Sequence, residues 1–147
     1  MRESGQSLFE VVIALGVISI ILVSLVTLAS LSIRNTTFSQ AKTRSTRISQ
    51  ETIEWLRGER DAGWSAFAVR GATPVWCMPA LSWAEAVPGA CPAGSAYNIS
   101  GTPFKREVSF GRIDAGNLQT TVLVYWSDSQ GAHETRTTTN FTNWRTQ

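Results

Sequence analysis

The chain opens with a long apolar run that continues into an amphipathic one. From Val11 to Ile33 there are 23 consecutive uncharged residues, mostly Val, Ile, Leu and Ala. In a helix this run spans about 34 Å, enough to cross a bilayer with some tilt. No proline occurs before Pro74, so nothing interrupts a helix from residue 6 to about residue 61. The pattern therefore predicts one long helix whose first half crosses a membrane.

The second half of this helix carries one mildly apolar stripe. Spacings of three and four separate its members, which are Phe38, Ala41, Ser45, Ile48, Thr52 and then Trp55 or Leu56. Polar side chains occupy the other faces, so one face is predicted to pack on the rest of the protein. Gly63 stands where a C′ glycine would end the helix. Asp61 is unfavourable near a helix C-terminus and favours an end one turn earlier.

Residues 71–103 differ from the helix in composition. They contain all five prolines, several glycines and both cysteines, which predicts a long loop with a short turn of helix at Ala80–Ala86. Loops of this length are usually functional or held by a cross-link. A Cys77–Cys91 disulfide would close this loop and stabilise the folded state by about 3 kcal/mol in the chain-entropy model. Beside a membrane-insertion segment the two cysteines indicate an oxidising compartment and one disulfide, with two free thiols as the alternative.

Three strand-like runs follow this loop, from Phe104 to Arg112, from Leu118 to Trp126 and from His133 to Asn143. The turn sequences D-A-G-N (114–117) and S-D-S-Q-G (127–131) separate them. They predict an antiparallel meander with one face packed on the helix. The predicted core includes Trp55, Val122, Val124, Trp126 and Phe141. The predicted fold class is therefore α+β, a long N-terminal helix packed on a small antiparallel sheet with a disulfide-stapled loop between them.

Composition and charge argue against several classes of function. The net charge of +2 is too small to indicate nucleic-acid binding, and the basic residues at positions 34, 42, 44 and 47 fit a solvated helix face. The only histidine, His133, is predicted on an exposed strand edge. The sequence shows no metal-ligand cluster, phosphate-binding glycine loop or nucleophile elbow, so we predict no enzyme and no cofactor. The six tryptophans fit core packing and membrane-proximal anchoring, with sugar or surface stacking as the alternative.

One acidic residue, Glu10, stands at the leading edge of the apolar run. A carboxylate costs roughly 2.5–3.5 kcal/mol at the centre of a membrane helix and less near the interface. An ionisable group in such a place is therefore a candidate functional residue that needs a partner. An ordinary cleaved secretory signal is disfavoured because the apolar part, about 25 residues, exceeds the usual length of 7–15. An uncleaved anchor stays open.

The leader Met1–Gly5, followed by Q-S-L-F-E and a long apolar helix, resembles the class III signal of type IV prepilins and type II secretion pseudopilins. In that pattern a glycine precedes the cut and a glutamate occupies the fifth mature position. The resemblance implies that Gly5 precedes the scissile bond and that Gln6 becomes the N-methylated mature terminus. It also implies that Glu10 meets the N-terminal amine of a neighbouring subunit. The family usually begins with phenylalanine, whereas a terminal glutamine can also cyclise to pyroglutamate and lose the amine charge.

The resemblance extends to E-W-L-R-G-E-R-D-A-G-W (54–64) and V-Y-W-S-D-S-Q-G (124–131), which are similar to minor pilins. It implies a leader peptide (1–5), a transmembrane and filament-core helix (6–33), an amphipathic helix half (34–62) and a globular head (63–147). Within the head it implies the loop 71–103 and the antiparallel sheet 104–143.

The resemblance further implies a structural subunit of a type IV pilus or a type II secretion pseudopilus, with a minor pilin favoured over a pseudopilin. The implied partners are a prepilin peptidase, other pilin or pseudopilin subunits through the N-terminal helix, and an inner-membrane assembly platform. No direct nucleic-acid contact is predicted. The implied location is the inner membrane, as a single-pass protein with an extracytoplasmic C-terminal head, and then the pilus, cell surface or periplasm. The alternative is a membrane-anchored extracytoplasmic binding module that does not polymerise.

Overall fold

The computed structural model describes the backbone of residues 4–144 and the side chains of residues 8–144. The elements in chain order are α1 (Ser4–Ala62), α2 (Trp64–Arg70), β1 (Val75–Cys77), β2 (Val87–Pro88), a 3-10 turn (Ser95–Tyr97), β3 (Lys105–Asp114), β4 (Asn117–Asp128) and β5 (Gly131–Thr142). The predicted long helix is confirmed as α1. Contacts within the chain divide it into two units, the first ending at Ala41 and the second beginning at Lys42. The first three residues of the predicted leader lie outside the described residues.

The first unit is helical throughout its described residues, and its uncharged segment from Val11 to Ile33 has apolar side chains on every side. The large apolar side chains from Leu8 to Ile33 are each 50–71% exposed. This part of α1 is long and apolar enough to cross a membrane, by length and composition. Its side chains therefore have no protein core of their own among the described residues.

The second unit, here called the head, contains one five-stranded antiparallel sheet in the order β2-β1-β3-β4-β5. The predicted meander is confirmed as β3, β4 and β5, each within two residues of its predicted bounds. The sheet is wider than predicted because β1 and β2 lie inside the segment 71–103. Strand β1 contains only three residues and β2 only two. Pro74 and Pro88 also argue against a strand when only the sequence is considered.

Two tight turns connect the three long strands. At the first, Asp114 Oδ1 accepts the Gly116 amide at 2.8 Å and Asp114 Oδ2 accepts the Asn117 side-chain amide at 2.7 Å. At the second, Asp128 Oδ1 accepts the Gln130 amide at 2.7 Å. Gly131 has a φ of 124°, which a residue with a Cβ rarely adopts. The turn residues therefore set the register of both hairpins.

The core of the head lies between the sheet and the part of α1 that follows Lys42. The buried helix residues are Ser45, Ile48, Ser49, Thr52, Ile53 and Leu56. The largest fully buried sheet residues are Phe141, Leu118, Val108, Val122 and Val124. The predictions for Val122, Val124, Trp126 and Phe141 are confirmed, but the one for Trp55 is wrong. Leu56 takes the fully buried position, and Trp55 is half-buried against Trp83, with ring centroids 5.1 Å apart.

Three local predictions need correction. Helix α1 continues to Ala62 and does not end a turn earlier, since Arg60 bonds the Asp61 carboxylate at 2.9 Å and offsets its charge. Gly63 follows the helix as predicted, but its φ of 178° is extended and it leads directly into α2. Residues Ala80–Ala86 form no helix. They contain a turn instead, in which the Glu85 amide donates to the Ser82 carbonyl at 3.3 Å.

Candidate functional site

The predicted cleavage and assembly residues all lie on the first turns of α1. The backbone of Gly5 and Gln6 is helical, while their side chains lie outside the described part of the structure. The Glu10 side chain is exposed, and no other described residue forms a hydrogen bond or ion pair with it. The Glu10 carboxylate therefore lies at the start of an apolar helical surface, and it has no partner among the described residues.

Four of the five side-chain hydroxyls between Val11 and Ile33 are satisfied within the helix itself. Ser19, Ser24, Thr27 and Ser30 each donate to the carbonyl four residues earlier, at 2.8–2.9 Å. Such bonds lower the cost of placing a hydroxyl in an apolar environment. Between Leu8 and Ile33, Glu10 is also the only charged residue. Glu10 is thus the group in this segment that most needs an external partner.

Helix and sheet meet in the head through hydroxyl groups rather than through a purely apolar seam. The hydroxyls of Ser45 and Thr135 are 2.5 Å apart, and the Ser49 hydroxyl donates to Thr137 Oγ1 at 2.8 Å. Both serines are fully buried. Small residues at these two positions let the helix approach β5 closely, and the paired hydroxyls leave no buried donor unsatisfied there. The contact fixes which face of α1 packs on the sheet.

A buried arginine, Arg106, joins three elements of the head. Its side chain is 3% exposed; Nε donates to the Met78 carbonyl at 3.0 Å and Nη1 donates to Thr52 Oγ1 at 3.1 Å. Burial lowers the pKa of the Arg106 guanidinium to about 10, and the charge of Glu51 acts in the opposite direction. The side chain therefore remains charged at neutral pH. It ties β3 to α1 and to the segment that follows β1.

The predicted Cys77–Cys91 disulfide is confirmed, and the alternative of two free thiols is excluded. Cys77 is fully buried at the end of β1, whereas Cys91 is half-buried. The Cys91 amide donates to Glu107 Oε1 at 2.7 Å, and Lys105 Nζ donates to the Pro92 carbonyl at 2.6 Å. These bonds hold the far end of the disulfide loop along β3.

Glu107 also receives a bond from Tyr125 on the face of the sheet that points away from α1. The Tyr125 hydroxyl donates to Glu107 Oε1 at 3.0 Å. Partial burial, followed by the bond to this carboxylate and its negative charge, raises the pKa of Tyr125 to about 12. The Tyr125 hydroxyl and the Cys91 amide therefore donate to the same oxygen of the Glu107 carboxylate.

His133 lies on the edge strand β5, as predicted, but it is half-buried rather than exposed. Its Nε2 is 3.0 Å from Asp128 Oδ1, and its ring lies 5.3 Å from that of Trp126. The bond from the Gln130 amide, followed by that from His133, holds the pKa of Asp128 below its usual value. No group of three or more His, Cys, Asp or Glu side chains that could hold a metal ion occurs among the described residues. These contacts give His133 a role in the hairpin that connects β4 and β5.

An aromatic cluster that the sequence did not predict lies where α1 ends. Trp83 packs against Trp55 and Trp76, with ring centroids 5.1 and 5.6 Å away, and its Nε1 donates to Glu59 Oε2 at 2.7 Å. Trp76 Nε1 donates to the Arg70 carbonyl at 3.0 Å. The signal in the sequence was the tryptophan count, but nothing in the spacing indicates that Trp55, Trp76 and Trp83 meet.

The features with the clearest chemical meaning therefore lie in two places. One is the exposed apolar helix with its single carboxylate, which suits association with lipid or with other helices. The other is the disulfide-stapled head with its aromatic cluster. Comparison of the chain with protein-family models, with curated proteins and with solved structures finds no match in any of the three.

Proposed function

We propose that this chain is a non-enzymatic structural subunit of a pilin-like filament, either a type IV pilus or a type II secretion pseudopilus. It enters the inner membrane as a prepilin, a prepilin peptidase cuts it after Gly5, and the assembly platform adds it to the filament. The new N-terminus is Gln6. Apolar segments of neighbouring subunits pack laterally, and the Glu10 carboxylate pairs with the N-terminal amine of a neighbour.

The single observation that carries this proposal is the combination of Glu10 with the surface that follows it. From Leu8 to Ile33 every large apolar side chain is at least half exposed, and the hydroxyls of Ser19, Ser24, Thr27 and Ser30 are satisfied inside the helix. Such a surface needs lipid or another apolar helix around it. Glu10 is the one charged group on it and has no partner among the described residues.

The N-terminal amine produced by cleavage is a suitable cationic partner for the Glu10 carboxylate. A lone carboxylate in low dielectric costs several kcal/mol, and an ammonium group alone costs a similar amount. A pair of the two offsets much of that cost, and it forms only at one axial offset between neighbouring helices. Charge pairing and apolar burial are thereby coupled, which favours a single register in the filament.

The head supports an extracytoplasmic location. A disulfide between a buried and a half-buried cysteine persists in an oxidising compartment and is uncommon in the cytoplasm. The buried Arg106 and the paired hydroxyls hold the part of α1 that lies within the head on the sheet. A head that contains the second half of α1 suits a subunit whose first helical half bears the assembly contacts.

The intact mass of the chain, produced with an active or an inactivated prepilin peptidase, tests this proposal. Wild type loses residues 1–5 only when the peptidase is active, whereas a Gly5→Leu variant keeps them. Gly16→Leu is the matched control, because a Cβ at Gly16 meets nothing within 4 Å and the variant should be cut like wild type. A full-length chain that remains in the membrane beside an active peptidase would contradict the proposal and indicate an anchored binding module.

A further inference from the structure

Two depressions flank Gly63 at the junction of α1 and α2. The first, of about 90 Å³, is lined by Arg60, Gly63, Trp64, Thr142, Asn143 and Trp144. The second, of about 190 Å³, is lined among others by Glu59, Gly63, Phe67, Arg70 and Trp83. Gly63 is thus shared by the two depressions, and each contains at least one indole ring.

The indole of Trp144 is held in place although 56% of the residue is exposed. Its Nε1 donates to Asp61 Oδ1 at 3.2 Å, and Arg60 Nε donates to the same oxygen at 2.9 Å. The Arg60 guanidinium in turn lies 5.6 Å from the centre of the Phe141 ring. An exposed ring in a fixed orientation is prepared to stack on a ligand, because little side-chain entropy remains to be lost.

The second depression contains related groups around a half-buried indole. The indole of Trp83 donates from Nε1 to Glu59 Oε2 at 2.7 Å, and the Arg70 guanidinium lies 5.2 Å from the centre of its ring. Each depression is therefore lined by an indole and a guanidinium, and a carboxylate from the last turn of α1, Glu59 in the lining of the second and Asp61 outside the lining of the first, accepts the indole N–H. The two carboxylates and two guanidiniums balance in charge, so the pair of depressions favours a neutral ligand over a polyanion.

Gly63 lines both depressions. A Cβ placed on Gly63 meets nothing within 4 Å, and its φ of 178° is open to any residue. Backbone geometry therefore does not demand glycine here. A side chain at this position would instead project into open space beside residues that line both depressions.

We infer that the two depressions form one binding site for a neutral oligosaccharide that crosses over Gly63. The face of a pyranose ring carries C–H groups that stack on an indole, and its rim carries hydroxyls that bond to Arg60, Thr142, Asn143 and Glu59. Concave sites that combine aromatic surface with a few convergent polar groups are the usual form of a small-molecule site. This role is separate from filament assembly and does not depend on the proposed processing of the N-terminus.

The test is a tryptophan-fluorescence titration of the full chain in lipid nanodiscs, free of sugar-based detergent, with cellohexaose and with N-acetylchitohexaose. At least one sugar should bind saturably, and Trp144→Ala should weaken binding by about 5–10-fold, as expected for the loss of one stacking contact. Gly63→Leu should weaken it at least as much by placing a bulky side chain where the sugar crosses between the depressions. Matched controls are Gly58→Leu, where a Cβ also meets nothing within 4 Å, and Val69→Ala, at a residue that is 70% exposed and lines neither depression.

Three results would overturn the inference. The first is that neither sugar changes the fluorescence of the wild-type chain. The second is that Gly63→Leu and Trp144→Ala bind as tightly as their controls. The third is tighter binding of a heparin hexasaccharide than of either neutral sugar, which would show that the depressions select charge rather than a neutral ring.

Discussion

Nη1 of Arg106 donates a hydrogen bond to the hydroxyl oxygen of Thr52, 3.1 Å away, and so connects the centre of the sheet to the helix. The Thr52 hydroxyl donates in turn to the Ile48 carbonyl at 2.7 Å, and both side chains are buried. A second guanidinium bond reaches the Met78 carbonyl, one residue after Cys77. Helix, sheet and disulfide loop therefore share one buried cation.

We expect Arg106→Ala to lower the free energy of unfolding of the head by about 3 kcal/mol, because it removes two charged hydrogen bonds and leaves a cavity beside the Met78 carbonyl. Urea unfolding of the full chain, followed by tryptophan fluorescence, measures the change. Arg112→Ala is the matched control, since Arg112 lies exposed on the same strand and should change the value by about 0.5 kcal/mol or less. Equal stability of the two variants would show that Arg106 does not connect these elements.

Removal of the disulfide should destabilise the head by a similar amount. A double variant, Cys77→Ala with Cys91→Ala, should lose about 3 kcal/mol because the unfolded chain regains the freedom of the closed loop. The denaturant midpoint of wild type should fall on addition of a reductant, while that of the double variant should not move. Identical midpoints for wild type and double variant would mean that the bonds of Glu107 and Lys105 hold this loop without the disulfide.

The partial burial of Tyr125, together with its bond to Glu107, predicts a loss of stability in alkali. The pKa of Tyr125 is raised to about 12, above the ordinary value of about 10 that it takes when unfolded. The folded state therefore keeps a proton that the unfolded state loses, so this contribution is complete below about pH 10 and disappears as the pH rises to about 12.

The chain contains two tyrosines, so a Tyr97→Phe variant isolates the absorbance of the Tyr125 phenolate. In that background the phenolate should appear near pH 12, and a further Glu107→Gln change should move it towards 10. Glutamine keeps an oxygen that can accept the Cys91 amide, so the loop is preserved. A phenolate that appears at the same pH with and without the Glu107 carboxylate would contradict the assignment of the shift.

Much of the fold follows from local patterns in the sequence. The helix α1 was predicted from an uninterrupted run without proline, and β3 to β5 from alternating residues between glycine-containing turns. The position of Arg106 was also visible, since it alternates in phase with Val108 and Phe110, which face the core. Its burial was not predicted, because its partners, Thr52 and the Met78 carbonyl, lie far away in the sequence.

The parts that the sequence did not predict depend on long-range contacts. Strands β1 and β2 are too short to show a period of two, and pairing with β3 and the disulfide hold them in the sheet. Leu56 rather than Trp55 enters the core, because Trp83 from the loop packs on Trp55 outside it. The first depression beside Gly63 likewise requires the end of β5 to meet the end of α1.

The measurement that tests the central proposal most directly is the recovery of a Glu10→Val variant in assembled filaments, relative to wild type, from cells that process both chains. Valine removes the charge and keeps the helix apolar, so we expect cleavage after Gly5 to remain and incorporation to fall about tenfold or more, which corresponds to about 1.4 kcal/mol or more. Val12→Leu is the control, because it changes a neighbouring exposed apolar residue without touching charge. Incorporation of Glu10→Val at the level of wild type would show that Glu10 does not pair with the terminus of a neighbour.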